Sequence, residues 1–156
     1  AGPEHKKLQV LTGEWSCEGE SQAGPFGPGG KFTVKQSVKM ILGGFAVEYQ
    51  QEQNESRGVS RWTWITGYDS FKKVYTSSGF GSDGGVVFSQ ATVSGNVWDW
   101  SGNLALGGKQ IWIRGKDTLA PDLMSYTSKG ESSLDGKTWG PPDQMRCMKV
   151  QPEKKK

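Results

Sequence analysis

Seven tryptophans in a chain of 156 residues, several of them two positions apart, are the side chains whose type and spacing most readily suggest chemistry. Residues two apart on a strand share a face, so Trp62 with Trp64, Trp98 with Trp100, and Trp112 with Arg114 each double the aromatic or π-stacking surface on one side of a strand. Such faces either fill a core or line a cavity that holds an apolar or aromatic molecule. In the second case a few polar groups orient the guest. The candidate ligand-binding set is therefore Tyr49, Trp62, Trp64, Trp98, Trp100, Trp112 and Arg114, with Tyr49 and Arg114 as the polar contacts.

Other constellations argue against specific chemistries. The single histidine, His5, lies in a short polar segment and reads as a solvated surface residue, which leaves no partner for a Ser-His-Asp or Cys-His arrangement. Glu18 with Glu20, and Glu48 with Glu52, have polar neighbours and read as water-facing, whereas acid/base catalysis needs a buried carboxylate. Gly79-Phe80-Gly81-Ser82-Asp83-Gly84 fits G-x-G-x-x-G, but Val86-Val87-Phe88 follows as a strand where a dinucleotide site needs a helix N-terminus. It reads as a hairpin turn. Two cysteines and one histidine fall short of the ligands that structural zinc requires, so no metal, no cofactor and no catalytic residue is assigned.

The elements that would carry these residues are short strands. Runs of alternating, β-branched or aromatic residues ended by glycine or polar turns recur about ten times. They are Thr12–Ser21, Lys31–Leu42, Phe45–Gln53, Val59–Tyr68, Val74–Phe80, Val86–Ser94, Val97–Leu104, Lys109–Asp117, Leu123–Gly130 and Gln144–Val150. Ahead of them, Pro3 in a first helical turn and Leu8 with Leu11 predict a short helix that closes one end. The connections are too short for crossover helices, so the sheet is antiparallel, and about ten sequential strands lose their exposed edges by closing on themselves. The expected fold is all-β, a closed antiparallel up-and-down barrel over residues 1–150 as one domain, with residues 151–156 as a charged flexible tail.

The longest irregular stretch, Gln22 to Gly30, carries four glycines and two prolines and would hang over the open mouth as a mobile lid anchored by Phe26. The net charge of +3 comes largely from Lys154-Lys155-Lys156 outside the hydrophobic pattern, so no nucleic-acid surface is expected. No apolar run is long enough to span a membrane. Asn54-Glu55-Ser56 is a glycosylation sequon in a predicted loop, read as a chance match. The pattern assigns no oligomeric state.

Gly13-Glu14-Trp15 with Glu18-Gly19-Glu20, then Ile41-Leu42-Gly43-Gly44, Gly67-Tyr68-Asp69 with Lys72-Lys73-Val74-Tyr75, and Asp135-Gly136-Lys137-Thr138-Trp139 together resemble a bacterial lipocalin-like family of unknown function in the calycin superfamily. The resemblance covers most of the chain and implies an up-and-down barrel with an internal cavity. The Gly-x-Trp opening also resembles the haem-binding nitrobindins. Haem of that kind needs an axial histidine late in the chain, and His5 is not one.

In a closed barrel the first strand pairs with the last, and a register that sets Trp15 opposite Lys149 also sets Cys17 opposite Cys147. Lys149, at a place where lipocalin-like proteins tend to carry a structural cation, would lay its stem over the Trp15 ring. The two cysteines would be either disulfide-bonded or a pair of reduced, buried small hydrophobes. A competing register places Arg146 over Trp15 and turns Cys147 to the opposite face.

The preferred functional reading is a module that binds a small, mostly apolar or aromatic molecule in the barrel. An isomerase- or cyclase-type enzyme in the same cavity is the alternative, and carbohydrate binding through exposed Trp62 and Trp64 on an outer face is a second. The expected location is periplasmic or secreted, where a disulfide persists, and otherwise cytoplasmic. Ala1 is compatible with a processed or an engineered terminus.

Overall fold

A computed structural model describes residues 1–24 and 27–152. A short helix, α1 (Pro3–Gln9), precedes ten strands: β1 (Gly13–Ser21), β2 (Gly30–Ile41), β3 (Ala46–Glu55), β4 (Gly58–Asp69), β5 (Val74–Gly81), β6 (Val86–Ser94), β7 (Val97–Leu106), β8 (Lys109–Leu119), β9 (Ser125–Ser133) and β10 (Asp143–Lys149). Every strand pairs antiparallel with its sequence neighbours, and β1 pairs with β10, so the meander closes. Among the described residues no helix is long and apolar enough to cross a membrane.

Strand period dictates what faces inward. In β1, Trp15 and Cys17 are buried while Glu14, Ser16 and Glu18 are exposed, and the same two-residue alternation runs through β2 at Val34, Gln36 and Val38. The seam sets Trp15 opposite Lys149 and Cys17 opposite Cys147, and the cysteines are disulfide-bonded. Arg146 pairs with Glu18 instead of stacking on Trp15. The Lys149 Nζ lies 5.1 Å from the Trp15 ring centroid, and the Trp15 indole N–H donates to the Leu11 carbonyl at 2.9 Å.

Helix α1 closes the end from which β1 starts. Leu8 is fully buried there, and the Tyr75 hydroxyl donates to the Glu4 carbonyl at 2.7 Å, tying helix to barrel. His5 is not the solvated residue expected from sequence: it is half-buried, with its ring 4.9 Å from Phe45 and 6.0 Å from Tyr68. A helix too short to be stable alone draws such side chains onto the barrel to bury its apolar side.

Some boundaries differ from expectation. The ninth strand begins at Ser125 because the Asp122 carboxylate accepts the Met124 N–H at 3.0 Å and holds Ala120–Leu123 in a turn. Strand β3 extends to Glu55, so the sequon asparagine, Asn54, lies in a strand and not in a loop. Within the segment assigned as a lid, Gly24 and Gly27 form an isolated antiparallel bridge, and the Gln22 N–H donates to the Asp143 carboxylate at 2.8 Å. Its proposed anchor, Phe26, lies outside the described residues, as do Lys154 to Lys156.

The Cys17–Cys147 bond spans 130 residues of sequence. Closing so long a loop in the unfolded chain stabilises by up to about 5 kcal/mol. Reduction, or the Cys17→Ala/Cys147→Ala pair, is expected to move the denaturant midpoint to markedly lower concentration. An unchanged midpoint would show that strand pairing alone carries the seam.

Candidate functional site

The barrel encloses a cavity of about 500 Å³. Four of the predicted tryptophans line it, Trp62 and Trp64 from β4 and Trp98 and Trp100 from β7, together with Tyr49 from β3. Tyr49 and Trp64 are stacked, their centroids 4.6 Å apart and their planes 11° from parallel. Trp98, nearer the closed end, packs on Tyr75 at 4.8 Å.

Rings of this size fit inside a small barrel because glycines face them. Trp62 lies opposite Gly81, and Trp100 lies opposite Gly115 and reaches Gly130 on the next strand. A Cβ on Gly81 would run into the Trp62 indole, and one on Gly115 into the Trp100 indole. The G-x-G spacing at Gly79 and Gly81 thus serves the tryptophans of β4, with only its end forming the hairpin turn to Gly85.

Trp112 and Arg114 belong elsewhere, and their assignment to the cavity is corrected. On β8 the inward positions are odd, from Ile111 and Ile113 through Asp117 to Leu119, so Trp112 and Arg114 face outward. There the Arg114 guanidinium stacks 3.8 Å over the Trp139 ring and ion-pairs with Glu131 at 2.9 Å, while Trp112 packs under Gly136. These contacts pin the loop from Leu134 to Pro141 against the outer wall. Asp135 caps its turn by accepting the backbone N–H groups of Thr138 and Lys137, which with the Ser133 hydroxyl lower its pKa to about 2.

Apart from Tyr49, the polar part of the cavity was missed. Asp117, on β8, opens onto the cavity between two strands: it pairs with Trp98 on one side and Ser128 on the other. Trp100 Nε1 donates to its Oδ1 at 3.0 Å and the Ser128 hydroxyl also donates to it. Burial pushes the Asp117 carboxyl above the ordinary range, and the two donors pull partly back. Beside it, the Tyr126 hydroxyl donates to Gln36 at 2.8 Å, and Gln36 donates to Gln51 at 2.7 Å. Burial, with Asp117 nearby, holds the Tyr49 and Tyr126 phenols protonated far above neutral pH. The alternation of Ile111, Ile113 and Leu119 was the sequence signal that could have placed Asp117 inside.

A closed ten-stranded antiparallel meander around a cavity walled by aromatic rings defines the class of this molecule. The chain belongs to the family described as "Protein of unknown function (DUF1579)", which it matches over residues 1–149. It is also similar to the crystal structure of Rv2717c from M. tuberculosis, with a TM-score of 0.71 over 96% of this chain and 99% of that one. At 11% identity that likeness shows the fold alone. No curated protein sequence matches the chain.

Two outcomes follow from this geometry. Gly115→Val is expected to displace the Trp100 indole, break its bond to Asp117 and cost about 1–3 kcal/mol, read by near-ultraviolet circular dichroism and denaturant unfolding; unchanged spectra would contradict the packing described. A carboxyl whose folded pKa is raised contributes stability below its unfolded value that is lost as pH rises through the folded one, so Asp117 destabilises the barrel at neutral pH. Asp117→Asn should then melt higher than the parent at neutral pH, with the gap closing by about pH 4. A variant melting lower at both pH values would mean that the donors outweigh burial.

Proposed function

We propose that the barrel is a binding module for a small, mostly apolar or aromatic molecule held among Tyr49, Trp62, Trp64, Trp98 and Trp100. The observation that carries this reading is the cavity of about 500 Å³ walled by those rings, a size and lining suited to a compact organic guest. The closed meander with a helix at one end is also what a lipocalin-like barrel of the calycin superfamily looks like, and the reading includes that kinship. Trp15 with Lys149 serves as structural closure of the floor. The disulfide favours a periplasmic or secreted location.

One observation favours the enzyme reading as a second: Asp117 is a cavity carboxyl with a raised pKa, the agent that isomerase- or cyclase-type acid/base chemistry requires. The carbohydrate reading loses its basis, because Trp62 and Trp64 face the interior and not a flat outer surface.

Titration with the neutral fluorophore N-phenylnaphthylamine tests the binding reading. It is expected to quench tryptophan emission saturably and to raise the melting temperature, since a ligand at about 100 times its Kd adds about 2.7 kcal/mol. Ser89→Trp, which fills the cavity wall from β6, should abolish both effects. Absence of quenching and stabilisation with this probe and a panel of apolar molecules would overturn the proposal.

A further inference from the structure

Resting on the cavity-binding reading, we propose that the natural ligand is an organic cation, a tertiary or quaternary ammonium carried on an apolar or aromatic body, with Asp117 as its counter-ion and the indole faces as its cage. Among the described residues that line the cavity, Asp117 is the one charged side chain, and no Lys, Arg or His accompanies it. A carboxyl that opens onto an aromatic-walled cavity with no cation among its described lining residues suits a guest of opposite charge.

The hydrogen bonds around Asp117 suit the anion. The Trp100 indole N–H can only donate, and it and Ser128 both donate to the carboxyl, so these contacts strengthen as the group ionises. Aromatic π-surface adjoins the same carboxyl. Trp98 adjoins it directly across β7 and β8, and the stacked Tyr49–Trp64 pair presents further ring surface in the same cavity. Ring faces are electron-rich and attract a weakly hydrated alkylammonium, which surrenders its water at far lower cost than a primary amine. The raised pKa of Asp117 agrees with this design: burial alone opposes the anion, and a cation in the cavity reverses the balance.

An isosteric pair separates charge from shape. Phenyltrimethylammonium and tert-butylbenzene differ by a charged nitrogen in place of a carbon, and calorimetric titration of each into the unaltered protein measures the effect of that charge. Roughly tenfold tighter binding of the cation is expected from cation–π attraction and the counter-ion together. In Asp117→Asn the ratio between the two probes should fall toward one. Equal affinities in the unaltered protein would overturn the cation assignment, and a preference undiminished in Asp117→Asn would overturn Asp117 as the counter-ion, each leaving the cavity reading intact. Failure of both probes to bind would remove the cavity reading and this inference with it. The comparison on the unaltered protein decides the ligand's charge even if the variant does not fold.

Discussion

The hydrogen-bonded seam between β1 and β10 is the constraint on which the rest of the molecule depends. Ten strands in a meander would leave two unpaired edges, and joining them converts an open, aggregation-prone sheet into a cylinder. Because side chains alternate with period two, the register of this seam decides which set faces inward. With Trp15 opposite Lys149 and Cys17 opposite Cys147, both cysteines come to the same face and are joined covalently. A slip of one residue would turn Cys147 outward and bring Arg146 inside.

Once closed, the cylinder must be filled without being blocked. Its floor is solid, made by Leu8, Trp15, Val38, Val47 and Trp98 packed around the end that α1 covers. Above the floor, large rings stand opposite glycines, so that the indoles of Trp62 and Trp100 lie along the wall where a Cβ would otherwise sit. That arrangement spreads aromatic surface around the perimeter and leaves the middle as cavity. A wall of leucines and valines on every strand would have packed the same space as core.

The polar interior runs against stability and is therefore informative. Gln36, Gln51 and Tyr126 form a hydrogen-bonded chain that offsets their own burial. Asp117 is different: its two donors compensate only part of the cost of burying a carboxyl, as the raised pKa records. On the opposite side of β8, Arg114 is held by both a carboxylate, Glu131, and a ring, Trp139, so its charge is committed to the outer wall. The two faces of one strand thus hold opposite charges that never meet.

How much of this was legible depended on whether the determinant was local. The meander, its ten strands and the short helix follow from alternation, turn residues and the absence of helical periodicity, all of which act over a few positions. The seam register was legible as one of two alternatives, because the spacing of Trp15, Cys17, Cys147 and Lys149 makes both pairings coincide. The inward set of β8 was misjudged: Trp112 and Arg114 look like ligand-binding residues by type, but parity is settled by ten strands closing at once, and it gave the inner face to Asp117. Burial likewise belongs to the tertiary structure. An aspartate in a strand reads as solvated until the closed barrel turns it toward the cavity and sets the Trp100 indole N–H against it. What sequence determined was the alternation itself; which of the two faces encloses the cavity, and which charge is left inside it, was decided only when the barrel closed.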